Sequence, residues 1–319
     1  MKIRLGYVAI ALNLNNCSTS KTITVTSFNK LTNDESKLFK LRNILNENLN
    51  NTLRILRYNK SYNIKIYRLT SKLVPLATHP LTGNWDYVNE FRDKFIEIGQ
   101  YIKENNFRIS AHPDHFTVIN TNKKTVLESS LIDLTYHNTI LKTMQLDQSY
   151  KLVVHVGGAY QDKEKSIERF ILSYNKLPEE IKKRIILEND DKVYNITDVL
   201  NICNIINIPM VLDVHHHKYN NNGESLNKML KAVFDTWKNE RFPPKIHFSS
   251  PKNEKNYRSH SDYINIEEFM SFIKIAKKLN TDFDIMLEAK SKDLALFKLV
   301  NELKQYKEIK IINESEFEV

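Results

Sequence analysis

Glycine is scarce in this chain: six residues in 319, Gly6, Gly83, Gly99, Gly157, Gly158 and Gly223. At those positions they cannot build GxGxxG or GxxxxGK, so neither a dinucleotide turn nor a Walker-type phosphate loop is encoded, and no nucleotide cofactor is expected. Cysteine is scarcer still. Cys17 and Cys203 form no CxxC pair, which excludes a cysteine zinc site and a secreted disulfide scaffold and makes a reducing cytoplasm the simplest home. No apolar run approaches the roughly 20 residues that span a bilayer. The N-terminal stretch LGYVAIAL is short, follows Arg4 and lacks a small-residue cleavage site, so it reads as a first strand and no membrane partner is expected.

What is abundant is positive charge: 47 Lys and Arg against 38 Asp and Glu, a net charge of +9. That balance favours polyanionic partners without choosing between nucleic acid and anionic lipid. The length suits either two average domains or one large α/β barrel, and no linker or shift in composition marks a boundary, so residues 1–319 are read as one domain.

Eight short apolar or β-branched runs recur: Leu5 to Ile10, Ile64 to Leu69, Arg108 to Ala111, Lys151 to Val156, Arg184 to Leu187, Pro209 to Val214, Lys245 to Phe248 and Phe283 to Leu287. Between them apolar residues fall at helical spacing, as in Leu38, Leu41, Leu45, Leu49 and Leu53, or Phe91, Phe95, Ile98 and Ile102. Near-continuous apolar strands separated by helices predict a parallel sheet covered on both faces. Eight such units predict a (β/α)8 TIM barrel, with an open doubly wound sheet as the competing architecture.

Imidazoles and carboxylates gather at the C-terminal ends of these runs, where barrel enzymes assemble their sites. In order they are His79 in T-H-P, His112 and His115 in S-A-H-P-D-H-F, His155 in V-H-V-G-G and Glu188 in L-E-N-D-D. Asp213 and His215 to His217 follow in L-D-V-H-H-H, then Lys245 and His247 in K-I-H-F-S-S and Glu288 in M-L-E-A-K. One such residue is ordinarily a hydrogen-bonded loop side chain. Strand after strand presenting them at one end predicts a shared metal site, because buried carboxylates are costly unless a cation compensates them. Imidazole and carboxylate without thiolate suit Mn, Zn, Fe or Co, and the donors outnumber the needs of one ion, so two or three are expected. A multinuclear centre suits phosphodiester hydrolysis: one ion acidifies a bound water while another stabilises charge on the departing oxygen.

Lys245 and His247 are two apart on one strand and share a face, which sets an ammonium one layer below the expected cations. It must be deprotonated, paired with a carboxylate such as Glu188 or Glu288, or converted into an anion. After the seventh run, S-P-K-N-E-K-N-Y-R-S-H-S-D-Y interleaves Lys252, Lys255 and Arg258 with Tyr257 and Tyr263, a mixture that contacts phosphates and stacks bases, or simply forms a solvated basic loop. His260 within it is either a ligand or a proton donor. His115 and Phe116 could wedge between stacked bases.

In order and spacing, G-Y, L-V-P-L-A-T-H-P, S-A-H-P-D-H-F, H-V-G-G, L-E-N-D-D, L-D-V-H-H-H, K-I-H-F-S-S, R-S-H-S-D-Y and M-L-E-A-K resemble the UV damage endonucleases over roughly residues 3 to 290. The resemblance implies a metal-dependent barrel enzyme, related in architecture to endonuclease IV, that nicks damaged double-stranded DNA immediately 5′ of cyclobutane dimers and 6-4 photoproducts, with some scope for abasic sites. It implies manganese, with zinc, magnesium or cobalt as substitutes, held by residues drawn from His112, His155, Glu188, Asp213, His216, His247, His260 and Glu288. Lys245 matches the family's carboxylated lysine, and His79 a further active-site histidine. Tyr7 and Asn13 match residues lining the damage pocket, while Tyr257 and Arg258 belong to the DNA-facing loop. Where the family often has Gln and Tyr as the probing pair, this chain has His115 and Phe116, which keep a donor and a stacking surface but lose the phenol hydroxyl. A monomer in the cytoplasm, at the nucleoid of a prokaryotic cell, completes the expectation. Its rivals are an abasic-site endonuclease, a metal-dependent sugar isomerase or epimerase on the same scaffold, and a DNA-binding protein with a remnant metal centre.

Overall fold

The computed structural model describes every residue of the chain except Asn84. Eight parallel strands carry the architecture: β1 Lys2–Val8, β2 Ile66–Arg68, β3 Arg108–Ser110, β4 Leu152–His155, β5 Ile185–Glu188, β6 Met210–Asp213, β7 Lys245–Phe248 and β8 Phe283–Leu287. Their order, β3-β2-β1-β8-β7-β6-β5-β4, is that of a barrel opened at one seam. A single parallel bridge between Ala111 and Leu152 crosses that seam, with the Ala111 amide donating to the Lys151 carbonyl at 3.1 Å. The result is a nearly closed TIM barrel, as the recurring strands predicted, and the open-sheet alternative is set aside.

Each strand expected from the sequence overlaps an observed one, and β7 and β8 coincide with theirs. Two short strands were not foreseen, β9 Lys310–Ile311 and β10 Glu316–Glu318. Strand β10 pairs antiparallel with β1 and closes over the N-terminal half of that strand, away from the loops that follow the strands.

The helices follow from amphipathic spacing and from their caps. The helix Asp34–Ser61 begins with a reciprocal cap between Asn33 and Ser36 and buries Leu41, Leu45, Leu49, Ile55 and Leu56 on its barrel side. The helix Ile196–Ile206 opens with the same device, Asn195 with Asp198, and ends at Asn207 in the left-handed conformation. Each such cap contributes about 1 kcal/mol. Gly6 is required where β1 meets β2, since a Cβ there would lie 2.3 Å from the Ile66 carbonyl oxygen.

Strand periodicity sorts the interior. Val153, Ile186 and Val211 form a small buried cluster with Trp237, and each lies two residues before His155, Glu188 or Asp213 on its own strand. The apolar floor and the polar mouth are therefore consecutive layers of the same inward-facing rows. At the lower end Asp284 accepts from Arg4 Nε at 2.6 Å and from Arg108 Nη1 at 2.5 Å, and Arg108 also lies 5.0 Å from the Trp237 ring centroid. Lys245 is in register with Asp284, so it sits at that charged layer and His247 above it.

Candidate metal centre

Glu188 is the hub. Its side chain is 1 % exposed at the end of β5, and three overlapping sets of potential ligands include it: His112 with His155, Asp213 with His216, and His247 with Glu288. Within each set the donor atoms lie within 4.8 Å of one another. Glu188 Oε2 is 3.0 Å from His112 Nε2 and 3.6 Å from His155 Nε2, while Oε1 is 2.7 Å from His247 Nδ1. Burial pushes the Glu188 carboxyl up, but His247 and His155 outweigh it and hold the group well below the usual carboxylate range, so it stays ionised.

Backbone groups orient several rings. His112 Nδ1 faces the Pro113 carbonyl at 2.9 Å and His216 Nδ1 faces the Asn189 carbonyl at 2.8 Å; a carbonyl only accepts, so both Nδ1 atoms carry a proton and each Nε2 is the atom that would meet a cation once its own proton is released. Asn189 also pairs with the Asp213 backbone in both directions, at 2.9 and 3.0 Å, tying the end of β5 to the end of β6. Gly157 has φ +115°, and a Cβ there would meet Asn120 Oδ1 at 2.3 Å, so the turn after His155 admits little else.

The donors fit divalent cations. Asp213 Oδ1 accepts from the His216 amide at 2.7 Å, but Oδ2 is buried without a protein partner, as are His155 Nδ1 and His247 Nε2. Orphan donors and acceptors in such density are costly unless something unites them. Burial, reinforced by Glu188 and Glu288, raises the Asp213 carboxyl to about 8 despite the opposing His216. Burial lowers His216, yet Asp213 and Glu188 prevail and lift it to about 9, and burial brings His155 down to about 4. The metal-free site thus holds protons where a cation would sit.

Glu288 closes the ring at 3.1 Å from His247 Nδ1, with His260 Nδ1 3.9 Å from its second oxygen and Arg68 paired to the first. Lys245 is buried below, and among the described residues no carboxylate pairs with it: Glu188 is taken by histidines and Glu288 by Arg68 and His247. The salt-bridge alternative for Lys245 is thereby corrected. Burial, with Arg108 and Arg68 nearby, holds its amine well below the ordinary lysine value.

Above this floor opens a cavity of about 840 Å³ lined by His112, His115, His155, Glu188, His216, His260 and Glu288, with Arg68 and Arg258 among its walls. On the rim, His115 stacks on His155 with centroids 5.7 Å apart and Phe116 is 57 % exposed. Tyr257 packs on Tyr219 at 4.6 Å, and Arg258 covers Tyr257 while pairing with Asp191 at 3.2 Å.

Three sequence expectations sit elsewhere. Tyr7 is fully buried and donates to Asn59 Oδ1 at 2.5 Å on the helix Asp34–Ser61, so it does not line the mouth; Arg4 on the same strand faces inward, and odd spacing turns Tyr7 to the helix shell. Asn13 is exposed on the loop after β1, its amide donating to the Tyr58 hydroxyl at 3.0 Å, and is not among the cavity-lining residues. His79 caps the short helical turn Pro80–Thr82, its Nδ1 accepting from Leu81, and it too is outside the cavity lining. Arg68 was missed, although a charged residue inside the apolar run Ile64 to Leu69 was a signal that could have found it.

The model of the UV-endonuclease UvdE family matches residues 3–319. The UV DNA damage endonuclease of Bacillus cereus (strain B4264) is 47 % identical over 313 residues, covering 98 % of both chains. The crystal structure of SacUVDE superposes with a TM-score of 0.84 at 35 % identity, covering 95 % of this chain and 98 % of that one. Endonuclease IV from Thermus thermophilus shares the fold, with a TM-score of 0.55 at 12 % identity over 80 % of this chain and 95 % of its own. The chain belongs to the UV-endonuclease UvdE family.

Proposed function

We propose that this protein nicks duplex DNA immediately 5′ of cyclobutane pyrimidine dimers and 6-4 photoproducts, and also at abasic sites, leaving 3′-hydroxyl and 5′-phosphate ends. The reaction depends on two or three divalent ions, manganese foremost, and on no nucleotide. The observation that carries this reading is Glu188, shared by three overlapping ligand sets on the floor of an open cavity. Ions bound there supply a nucleophile from water at neutral pH and neutralise charge on the departing oxygen.

The chain's own residues do the rest. Glu188, Asp213 and Glu288 with His112, His155, His216 and His247 hold the ions, and His260 at the rim serves as a further ligand or as proton donor to the leaving oxygen. Lys245, whose amine burial holds well below the ordinary lysine value, adds carbon dioxide through its neutral form to give a carbamate and release one proton, which places an anion instead of a cation beneath the cluster. His115 and Phe116 enter the stack; damaged dipyrimidines pair and stack poorly, so extruding them costs less than extruding intact neighbours. Tyr257 and Arg258 hold the backbone, and Asn13 and His79 contribute from flanking loops. The enzyme acts as a monomer in the cytoplasm, at the nucleoid of a prokaryotic cell, with residues 1–319 as one endonuclease domain. Among the described residues no helix is long and apolar enough to cross a membrane.

The test is cleavage of an end-labelled duplex carrying one thymine dimer, with manganese and with chelator. Cutting directly 5′ of the dimer with manganese and none with chelator is the expected result. Cutting of an abasic duplex alone would overturn the photoproduct assignment, and conversion of a sugar with no nicking would overturn the nuclease.

A further inference from the structure

Arg68 stands at the end of β2, in register with Val8 on one side and Ser110 on the other, so its backbone is set by the barrel and not by a loop. Its side chain is 12 % exposed, lines the cavity, and reaches Glu288 through one guanidinium nitrogen. Among the described residues that is its one hydrogen bond to protein from a group with five N–H donors, and its remaining nitrogens are not among the sealed, unpartnered atoms of the interior. They therefore open onto the cavity.

Support for Glu288 does not explain this arrangement. Glu288 already faces His247 at 3.1 Å and His260 at 3.9 Å, and a cation in that set would satisfy it fully. An arginine beside bound divalent ions is repelled by them, and arginine does not neutralise itself by losing its proton. An anion that touches ions and guanidinium together removes the conflict, and a planar fork of N–H groups matches the oxygens of a phosphate diester. Arg258, the other arginine of the cavity, is already paired with Asp191 on the rim.

We propose that Arg68 is a catalytic residue whose free N–H donors hold a non-bridging oxygen of the phosphodiester being cut. The inference rests on the endonuclease reading above. In the DNA-free enzyme the guanidinium rests on Glu288; with ions and DNA in place it bridges to the phosphate and stabilises the charge that builds on its oxygens as the P–O bond breaks.

The experiment compares wild type, Arg68→Ala and Arg68→Lys in single-turnover cleavage of a thymine-dimer duplex at saturating manganese. Bound metal per chain is measured by mass spectrometry and duplex binding by anisotropy. The expected result is a rate loss of about 100-fold in Arg68→Ala, with metal content unchanged and part of the rate restored by added guanidinium. Arg68→Lys, which keeps the charge and the packing stem but not the fork, falls between and tests the role should the alanine variant not fold. Rates within about threefold of wild type in both variants would overturn the proposal. So would a rate loss that tracks lost metal and disappears on adding manganese, since Arg68 would then act only through Glu288. A wild-type enzyme that binds manganese and cuts no dimer duplex would overturn the endonuclease reading itself, and the role of Arg68 with it.

Discussion

His247 Nδ1 lies 2.7 Å from Glu188 Oε1, and neither side chain is more than 1 % exposed. The two come from β7 and β5, separated in the sheet by β6, so the lateral order of the strands brings them together. Because the same carboxylate serves two further ligand sets, its loss reaches beyond one pair.

Glu188→Ala is therefore expected to lower bound metal by more than one ion per chain, whereas Asp213→Asn, which belongs to one set, removes at most one. Cleavage by Glu188→Ala should fall by on the order of 10³-fold, with binding to photoproduct DNA largely retained. Metal analysis on purified variants decides the matter, and equal metal loss in the two would contradict the shared-hub geometry.

Metal loading should expel protons. Asp213 and His216 are raised to about 8 and about 9 and titrate together, so the pair carries at least one proton in the metal-free enzyme at pH 7 and must release it to bind a cation. Affinity for manganese then weakens as pH falls below about 9 and more steeply below about 8, and proton release shrinks as pH rises through the same two values. Calorimetry at pH 7 in buffers of different ionisation enthalpy measures this release directly; a buffer-independent heat would refute it.

Asp284→Ala should destabilise the fold. It strips the shared partner from Arg4 and Arg108 and leaves the buried Arg108 guanidinium uncompensated. Breaking a buried pair in this way costs about 3–5 kcal/mol. Denaturant unfolding should show a lower midpoint with an unchanged slope.

Phe116→Ala should do the reverse, leaving stability within about 0.5 kcal/mol because the ring is exposed. If the ring stacks on bases, binding to thymine-dimer duplex weakens by about 1–3 kcal/mol, read by anisotropy together with fluorescence of a base analogue opposite the lesion. Unchanged affinity and fluorescence would remove Phe116 from the wedge.

The residues alone determined that strands and helices alternate, that acids and imidazoles recur at strand ends, and that phosphate-loop chemistry is absent. All of this is local: spacing, runs and composition are read within a few positions of one another. Which of those residues meet was decided by barrel closure. Glu188 as the hub depends on β5 lying between β4 and β6 and on the seam between β3 and β4 closing, which brings His112 to 3.0 Å from it, and no single segment contains that relation. Inward or outward facing was decided there too. Tyr7 joins the helix shell and Arg68 the cavity, because a strand alternates its side chains between two faces and only the closed sheet says which face is the interior. The surroundings of Lys245 arise the same way, since Glu188, Glu288 and Asp284 are each engaged by other groups that the fold brings to them.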